Sequence, residues 1–422
     1  MTFKIYTLGC KVNSYESNVM LEKMQQSGFK LVDMGEHADI IIVNTCTVTN
    51  TADSKSLKMI HKAKKENSIV VAVGCMVQNK KKIDDVDILI GNIGKSKIDQ
   101  TILEYIKNKK SIHQIEDVMN TKFEKMELNN FDKTRAFVKI QDGCNNFCSY
   151  CIIPYTRGNV RSKNKEDVLR EIETLIKKGH KEIVLTGIHT GHYGEDNEKY
   201  KFPDLLKDIL KIKGLERLRI SSIEITELND EFLEVLKNNP VLVDHMHIPL
   251  QSGSEEILKA MNRKYDMKYY KNKIEQIRQI RPNISITTDL IVGFPGETED
   301  NFKETLINLK EIAFTKIHVF PYSRRKGTVA DNLPNQIDEN IKKERVKKVL
   351  ELSKELEIKY MEKFINQEIT FIPEVKKENY LIGHTGNYLL VKLASSEQLN
   401  HDEKYVKISK VEYPYVVGIL TK

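Results

Sequence analysis

The fold of this chain of 422 residues is constrained most strongly by two successive series in which short apolar strands alternate with longer polar helices. In residues 1–115, β-branched runs such as 39–45 and 69–74 alternate with segments of helical spacing. That alternation is typical of a parallel sheet covered by helices. From Arg135 to Pro321, six further strand–helix units follow one another, which predicts a partial parallel (βα)6, TIM-like barrel. We therefore expect an α/β fold built from two such units.

The last part of the chain has a different character. Asp338–Phe364 is highly charged with helical spacing, and we interpret it as a solvated outer helix between domains. Short alternating runs in 362–422 then predict a small all-β barrel. This segment has no net charge, so RNA binding there would need its lysines to cluster beside Tyr380 or Tyr388. The expected domains are 1–115, 130–358 and 362–422.

Composition excludes several classes of protein. No apolar stretch approaches the ~20 residues that span a bilayer, and the N-terminus lacks the pattern of a signal peptide. We expect a cytoplasmic monomer without membrane contact. A formal net charge of +7 permits an RNA partner without establishing one. Six cysteines are too few for a disulfide scaffold, and cysteines in motifs then indicate metal or redox chemistry.

The strongest chemical signal is a CxxxCxxC motif formed by Cys144, Cys148 and Cys151. One loop after the first barrel strand would hold all three, and thiolates are the usual ligands of iron–sulfur clusters. Three ligands on four irons leave one iron open for a substrate or a small chelator. The alternatives are inert buried thiols or a zinc site. Structural zinc favours four ligands, and the next candidates in the sequence, His180 and His113, are distant.

The other three cysteines each close a predicted strand of the first sheet. Cys10, Cys46 and Cys75 are separated by 36 and 29 residues. Because the carboxyl ends of parallel strands share one edge of a sheet, we expect the three thiols to converge on a second cluster site. The alternative is that cysteine is a common small buried residue.

These residues resemble a known family, the radical S-adenosylmethionine (SAM) methylthiotransferases. The resemblance rests first on CNNFCSYC at 144–151, followed by Ile153-Pro154 and Arg157-Gly158. The opening LGCKVN and the NTC and GC sites of the other cysteines are similar to the family's N-terminal domain. Later stretches similar to its barrel motifs are HIPLQSGS at 247–254, DLIVGFPGET at 289–298 and VFPYS at 319–323. The C-terminal barrel resembles a TRAM domain, an RNA-binding module.

Within the family, GCKVN and GCNNFCSYCIIP resemble the branch that acts on N6-threonylcarbamoyladenosine at position 37 of tRNA. The resemblance implies a transferase of EC class 2.8.4. The branches that act on N6-isopentenyladenosine in tRNA or on a ribosomal protein remain alternatives. A zinc-binding, non-catalytic RNA-binding protein is the alternative from another class.

The resemblance also implies the cofactors, which are two 4Fe-4S clusters and two molecules of SAM. The open iron of the cluster on Cys144, Cys148 and Cys151 would chelate SAM. One electron would cleave it to a 5′-deoxyadenosyl radical, which takes hydrogen from C2 of the adenine. The second cluster would carry the sulfur and a second SAM would supply the methyl group. The protein mainly binds, orients and excludes water, and an electron donor and a sulfur source are further partners that the sequence does not identify.

Six candidate SAM or substrate contacts follow from their positions at strand ends. They are Tyr150, Thr186, Gly187, Ser222, Gln251 and Asp289. Tyr150 would lie beside the adenine, and Thr186 with Gly187 resembles the stretch that meets the SAM amino group. The other three would bind ribose or substrate. Ordinary strand-end capping is the alternative for each.

Other polar groups near the predicted barrel mouth have two interpretations. His189 and His192 lie in a loop after a barrel strand, which favours substrate contact over a structural role. Arg157 and Arg161 either meet tRNA phosphate or pair with nearby acids. The basic run 324–326 predicts a phosphate contact.

Overall fold

The computed structural model describes residues 1–131, 133–197 and 200–421. Its first sheet has six parallel strands in the order β2-β1-β3-β4-β5-β6. The strands are β1 (Thr2–Thr7), β2 (Lys30–Leu31), β3 (Ile40–Thr45), β4 (Ile69–Gly74), β5 (Ile88–Ile90) and β6 (Ile112–Gln114). The helices are α1 (Lys11–Gln26), α2 (Asn50–Lys65), α3 (Cys75–Lys80) and α4 (Ile98–Asn108).

The central strand β3 explains why this sheet is covered on both faces. All six of its residues are buried. Ile40 and Ile42 pack into an apolar core with α1 and α4, whereas Ile41 and Val43 pack into a second core with α2 and α3. Successive side chains of a strand point to opposite faces, so a continuous apolar run serves two helix layers.

The second unit is a partial barrel made of two three-stranded parallel sheets, β11-β10-β7 and β12-β13-β14, joined by a parallel bridge between Leu218 and Leu242. The strands are β7 (Arg135–Lys139), β8 (Gln141–Asp142), β9 (Arg161–Ser162), β10 (Glu182–Thr186), β11 (Arg217–Ile220), β12 (His245–His247), β13 (Ser285–Val292) and β14 (Lys316–Pro321). The helices are α5 (Ile153–Arg157), α6 (Lys165–Lys177), α7 (Phe202–Ile209), α8 (Asp230–Asn238), α9 (Glu255–Ala260), α10 (Met267–Ile280) and α11 (Glu299–Ile312). Tyr15 and Val19 of α1 join the core of this barrel, so the first unit packs against its side.

Helix α12 (Glu339–Glu362) joins the barrel to the end of the chain. Its Val349 and Leu352 belong to the barrel core, and its Tyr360 and Met361 belong to the core of the C-terminal unit. The prediction of a solvated helix is therefore wrong for one face, because that face carries apolar side chains at helical spacing.

The C-terminal unit is a closed five-stranded barrel in the order β15-β16-β17-β19-β18. Its strands are β15 (Glu368–Lys377), β16 (Tyr380–Thr385), β17 (Leu390–Ala394), β18 (Lys404–Glu412) and β19 (Tyr415–Leu420). Lys392 Nζ lies 4.3 Å from the centre of the Tyr380 ring, whereas Tyr388 faces the larger barrel between Arg135 and Arg219. The predicted fold class is confirmed, and the three domain boundaries stay a prediction. None of the helices in the described ranges combines the length and apolar character needed to cross a membrane.

Candidate active site with two groups of three cysteines

The CxxxCxxC motif forms a tight loop between β8 and α5. The Cys144 N–H donates to the Gly158 carbonyl at 3.0 Å, and the Cys151 N–H donates to the Cys148 carbonyl at 2.9 Å. Gly143 starts the loop with φ +76°, and a Cβ there would collide with the backbone of the returning segment. Glycine is the residue that tolerates both conditions. The chain thus curls back on itself and holds the three cysteines in one loop.

We call Cys144, Cys148 and Cys151 the motif trio. Two N–H groups point at its sulfurs: Arg263 Nη1 lies 3.4 Å from Cys148 Sγ, and the Asn146 backbone N lies 3.5 Å from Cys144 Sγ. Burial, followed by the nearby Cys148 and Cys144, raises the pKa of Cys151 to about 12. Such a thiol stays protonated at neutral pH unless a metal replaces its proton.

A cavity of about 230 Å³ opens directly beside the motif trio. Cys151, Tyr150, Gln251 and Asp289 line it, together with residues that follow β3 and β14. Gln251 adopts φ +68°, a strained conformation for a non-glycine residue, and its N–H donates to the Asp289 carbonyl at 2.9 Å. Strain of this kind tends to be kept where function needs it. Three of the six candidate contacts therefore share one cavity with a cysteine of the motif trio.

The other three candidates lie at neighbouring strand ends. Thr186 accepts a backbone hydrogen bond from Ile140 at 2.9 Å. Gly187 packs so closely on Gln141 that a Cβ would lie 2.8 Å from the Gln141 side-chain oxygen. Ser222 is half-buried just after β11. In the described part of the chain, none of Thr186, Gly187 and Ser222 lines the cavity beside Cys151.

The sheet trio, our name for Cys10, Cys46 and Cys75, follows three adjacent strands, β1, β3 and β4. A Cβ on Gly9 would lie only 3.0 Å from Cys46 Sγ, so the turn before Cys10 presses against Cys46. Burial comes first among the causes that raise the pKa of Cys46 to about 11, and the charges of Cys75 and Cys10 add to it. The structure thus brings these three thiols together at one edge of the sheet.

If the sheet trio binds a cluster, Gly9→Ala is expected to lower the iron content of the reconstituted protein. Gly9 has φ +101°, and its new Cβ would also lie 2.9 Å from Cys46 Cβ. Gly28→Ala is the matched control, because Gly28 has φ +85° with nothing within 4 Å of its Cβ position. In both variants, alanine at a positive φ should lower the free energy of unfolding by a similar amount, about 1–2 kcal/mol. Iron analysis should find a loss in Gly9→Ala alone, and equal iron in both variants would contradict the prediction.

Arg157 connects the two trios. It ends α5, six residues after Cys151, and its Nε donates to Cys75 Sγ of the sheet trio at 3.3 Å. Its Nη2 donates to Asn13 Oδ1 at 2.8 Å, and its Nη1 donates to Glu16 Oε1 at 2.8 Å. The guanidinium is fully buried. The segment that follows the CxxxCxxC motif therefore forms part of the wall of the second cysteine site.

A buried ionic network surrounds Arg157. Glu16 binds Lys95, Lys139 and Arg157, and Asp142 binds Lys139, Arg157 and, at 3.6 Å, Arg161. Burial alone would raise the pKa of Glu16, but Arg157, Lys139 and Lys95 hold it well below its usual range. Four cations face two carboxylates, so the network carries excess positive charge beside Cys75. That excess suits anionic thiolate ligands.

Arg157→Met is expected to destabilise the apoprotein by about 1–3 kcal/mol, because the buried oxygens of Asn13 and Glu16 lose the hydrogen bonds that Arg157 donates, although lysines still pair with Glu16. Arg324→Met is the control, since the Arg324 side chain is 59% exposed and its pair with Asp331 lies at the surface. Losing this surface ion pair should lower the free energy of unfolding by less than about 1 kcal/mol. Urea unfolding of the apoproteins measures both, and equal small losses would contradict the structural role of Arg157.

One histidine of the loop after β10, His189, contacts the motif trio. His189 Nδ1 lies 3.5 Å from Cys144 Sγ, and its Nε2 contacts Glu227. The rings of His189 and His192 stack with centroids 3.4 Å apart. Sequence distance suggested that no histidine lies near the motif cysteines, and His189 corrects that expectation. The predicted substrate contact of both histidines stays a prediction.

Burial decides between the two interpretations of Arg157 and Arg161, and it removes Arg325 from the predicted phosphate contact at 324–326. Arg324 and Lys326 are exposed, so a phosphate contact by these two residues stays a prediction. Arg157 and Arg161 are buried in the ionic network, which is the ion-pair alternative. In the basic run 324–326, the Arg325 guanidinium is also buried, with Nη2 at 2.9 Å from Asp53 Oδ2 at the start of α2. These cations hold the first unit against the barrel and are not available to a nucleic acid.

Comparisons with known proteins agree with this arrangement. The family model described as "Radical SAM superfamily" matches residues 138–308, and "Uncharacterized protein family UPF0004" matches residues 2–91. Among solved structures, the radical S-adenosylmethionine methyltransferase TsrM from Kitasatospora setae has a TM-score of 0.59 at 12% identity, covering 78% of this chain and 73% of its own. At that identity the likeness supports the fold alone.

Curated relatives match almost the whole chain. The threonylcarbamoyladenosine tRNA methylthiotransferase MtaB of Bacillus subtilis (strain 168) is 41% identical, covering 99% of this chain and 96% of its own. The MtaB of Aquifex aeolicus is 38% identical over 92% and 95%. The tRNA-2-methylthio-N(6)-dimethylallyladenosine synthase of Clostridium botulinum (strain Hall) is 36% identical over 97% and 94%. By this similarity the chain is a transferase that belongs to the radical SAM tRNA methylthiotransferase family.

Proposed function

We propose that this enzyme methylthiolates C2 of N6-threonylcarbamoyladenosine at position 37 of tRNA, with two molecules of SAM and two 4Fe-4S clusters. The single observation that carries the proposal is the pairing of two cysteine trios, one on the barrel loop and one on the sheet edge, linked by Arg157. The choice of base rests on the two MtaB relatives, which are 41% and 38% identical, against 36% for the dimethylallyladenosine synthase.

The chemistry of both trios fits such clusters. Each trio consists of thiols with an N–H donor aimed at a sulfur, Arg263 at Cys148 and Arg157 at Cys75. Hydrogen bonds to the sulfurs are one means by which proteins set cluster potentials. When bound, the cluster on the motif trio would supply reductive cleavage of SAM, and the one on the sheet trio would supply the sulfur.

The chain's own residues would bind and orient the reactants. Tyr150, Gln251 and Asp289 line the cavity beside Cys151, where SAM would lie. Thr186 and Gly187 would meet its amino group and Ser222 its ribose or the substrate, as the family resemblance implies. Arg325 holds the first unit against the barrel through hydrogen bonds to Thr47 and Asp53.

The remaining parts of the proposal concern partners and setting. tRNA and SAM are the substrates, and an electron donor and a sulfur source complete the reaction. We propose that the enzyme acts as a cytoplasmic monomer. The C-terminal barrel, where Lys392 stacks over Tyr380, is our candidate for a further RNA contact.

Mass spectrometry of tRNA nucleosides tests the choice of base. A strain that lacks this gene should lose the 2-methylthio form of N6-threonylcarbamoyladenosine and keep that of N6-isopentenyladenosine, and complementation should restore the loss. Loss of the isopentenyl derivative instead would assign the enzyme to the other tRNA branch. If both tRNA derivatives persist, the ribosomal-protein branch or the zinc-binding alternative takes precedence.

A further inference from the structure

The interior of the partial barrel is lined with charged side chains. Glu182 of β10 is in register with Arg135 of β7 and with Arg217 of β11, so these three side chains share one face. The next residue, Ile183, packs with the helices in the apolar core. Because side chains alternate along a strand, the charged face points inward.

The C-terminal barrel closes this interior from one end. Each arginine of the charged face has a carboxylate partner; the pairs are Arg219–Glu182 at 2.6 Å, Arg135–Glu374 at 3.3 Å and Arg217–Glu403 at 3.1 Å. Tyr388 points in between them, with its ring centre 4.7 Å from the Arg219 guanidinium and 4.6 Å from the His245 ring. Three arginines and three glutamates therefore balance one another.

Lys11 adds one positive charge to this balanced interior. It is the first residue of α1, directly after Cys10 of the sheet trio, and it is exposed. Its charge nevertheless interacts with Tyr388, Arg135 and Arg219, which belong to the C-terminal barrel and to two barrel strands. Lys11 therefore lies near both the C-terminal barrel and the charged face of the partial barrel. Within the described ranges of the chain, no carboxylate forms an ion pair with it.

The substrate that we propose would supply the missing negative charge. The threonylcarbamoyl group ends in a carboxylate, whereas the isopentenyl group is an uncharged hydrocarbon. This group is attached to C6 through N6, and C6 lies in the same six-membered ring as C2, where sulfur is added. A residue that binds the N6 substituent must therefore lie close to the site that holds the sulfur, and Lys11 adjoins Cys10.

We propose that the Lys11 ammonium binds the carboxylate of the threonylcarbamoyl group and so selects this base over uncharged N6 derivatives. This inference rests on the proposed function. A charge-assisted hydrogen bond to a carboxylate is stronger than a neutral one and leaves the partner unpaired when it is lost. A site built to bind a polar group therefore rejects the analogue that lacks it.

The test is a double-mutant cycle on the reconstituted full-length enzyme. Wild type and Lys11→Gln are assayed on two synthetic anticodon stem–loops, one with the natural carboxylate and one with its neutral methylamide. Lys11→Arg keeps the charge, and Lys23→Gln, on the last turn of the same helix, is the matched control. Iron content and SAM cleavage are recorded for each variant, so that damage to a cluster is visible.

Lys11→Gln should lower kcat/KM on the carboxylate substrate by about tenfold to a hundredfold. It should have little effect on the methylamide, which wild type should already use poorly. Lys23→Gln should stay within about threefold of wild type, and Lys11→Arg, which keeps the charge with a different shape, should keep the preference for the carboxylate substrate over the methylamide. Equal losses on both substrates, or loss of iron with the activity, would overturn the inference alone and assign Lys11 to the cluster. A wild-type enzyme that modifies neither substrate would instead overturn the proposed function, and this inference with it.

Discussion

Cys148→Ala is expected to abolish the reductive cleavage of SAM. The substitution leaves the motif trio with two thiols, Cys144 and Cys151, on one short loop. Two cysteine ligands do not bind a 4Fe-4S cluster stably, and without the cluster no electron reaches SAM. The product 5′-deoxyadenosine, measured by mass spectrometry after anaerobic reconstitution with dithionite as reductant, should fall to the level without enzyme.

Misfolding is a poor explanation for such a loss. Cys148 is half-buried, and the Arg263 guanidinium that faces it also pairs with Glu224 and contacts Tyr265. Replacing the thiol therefore leaves no charge without a partner. Far-UV circular dichroism of the variant should match that of wild type. SAM cleavage that continued at the wild-type rate would contradict the role of the motif trio.

Cys46→Ala is expected to separate the two halves of the reaction. The same chemical change is made in the sheet trio, at the end of β3, while the motif loop and the cavity beside Cys151 stay intact. SAM cleavage should continue, and the methylthio product should fall below detection because no sulfur is held. One anaerobic reaction with substrate tRNA, analysed for both 5′-deoxyadenosine and the methylthiolated nucleoside, measures both quantities.

The two variants serve as controls for each other. Cys148→Ala should lose both products, whereas Cys46→Ala should lose only the methylthio group. If Cys46→Ala still inserted sulfur at the normal rate, the sheet trio would have no part in the reaction. The sulfur would then come from another source.

Much of the fold could be predicted because local signals agreed with it. The strand Ile69–Gly74 occurs with the predicted bounds, and the helix Glu299–Ile312 belongs to the predicted series of strand–helix units. The helix follows Thr298, whose hydroxyl caps it by accepting from the Asn301 N–H. The short strands Lys30–Leu31 and Ile112–Gln114 were not predicted, since two or three residues give no measurable period.

The cysteines of the site could be predicted, but their surroundings could not. Spacing identifies the motif trio, and strand ends identify the sheet trio. The position of Arg157 depends on how the first unit packs against the barrel, so the sequence left phosphate contact and ion pairing equally open. The position of Asn13 and Glu16 near the sheet trio could have been predicted, because their spacing of three places both on one face of the helix that begins after Cys10.

Iron and acid-labile sulfide per chain test the central claim most directly. The samples are reconstituted wild type, a variant with all three motif cysteines changed to alanine, and one with all three sheet cysteines changed. Two clusters predict about eight irons in wild type and about four in each variant. About four irons in wild type, unchanged when the sheet cysteines are removed, would contradict the second cluster, and zinc in place of iron would contradict both.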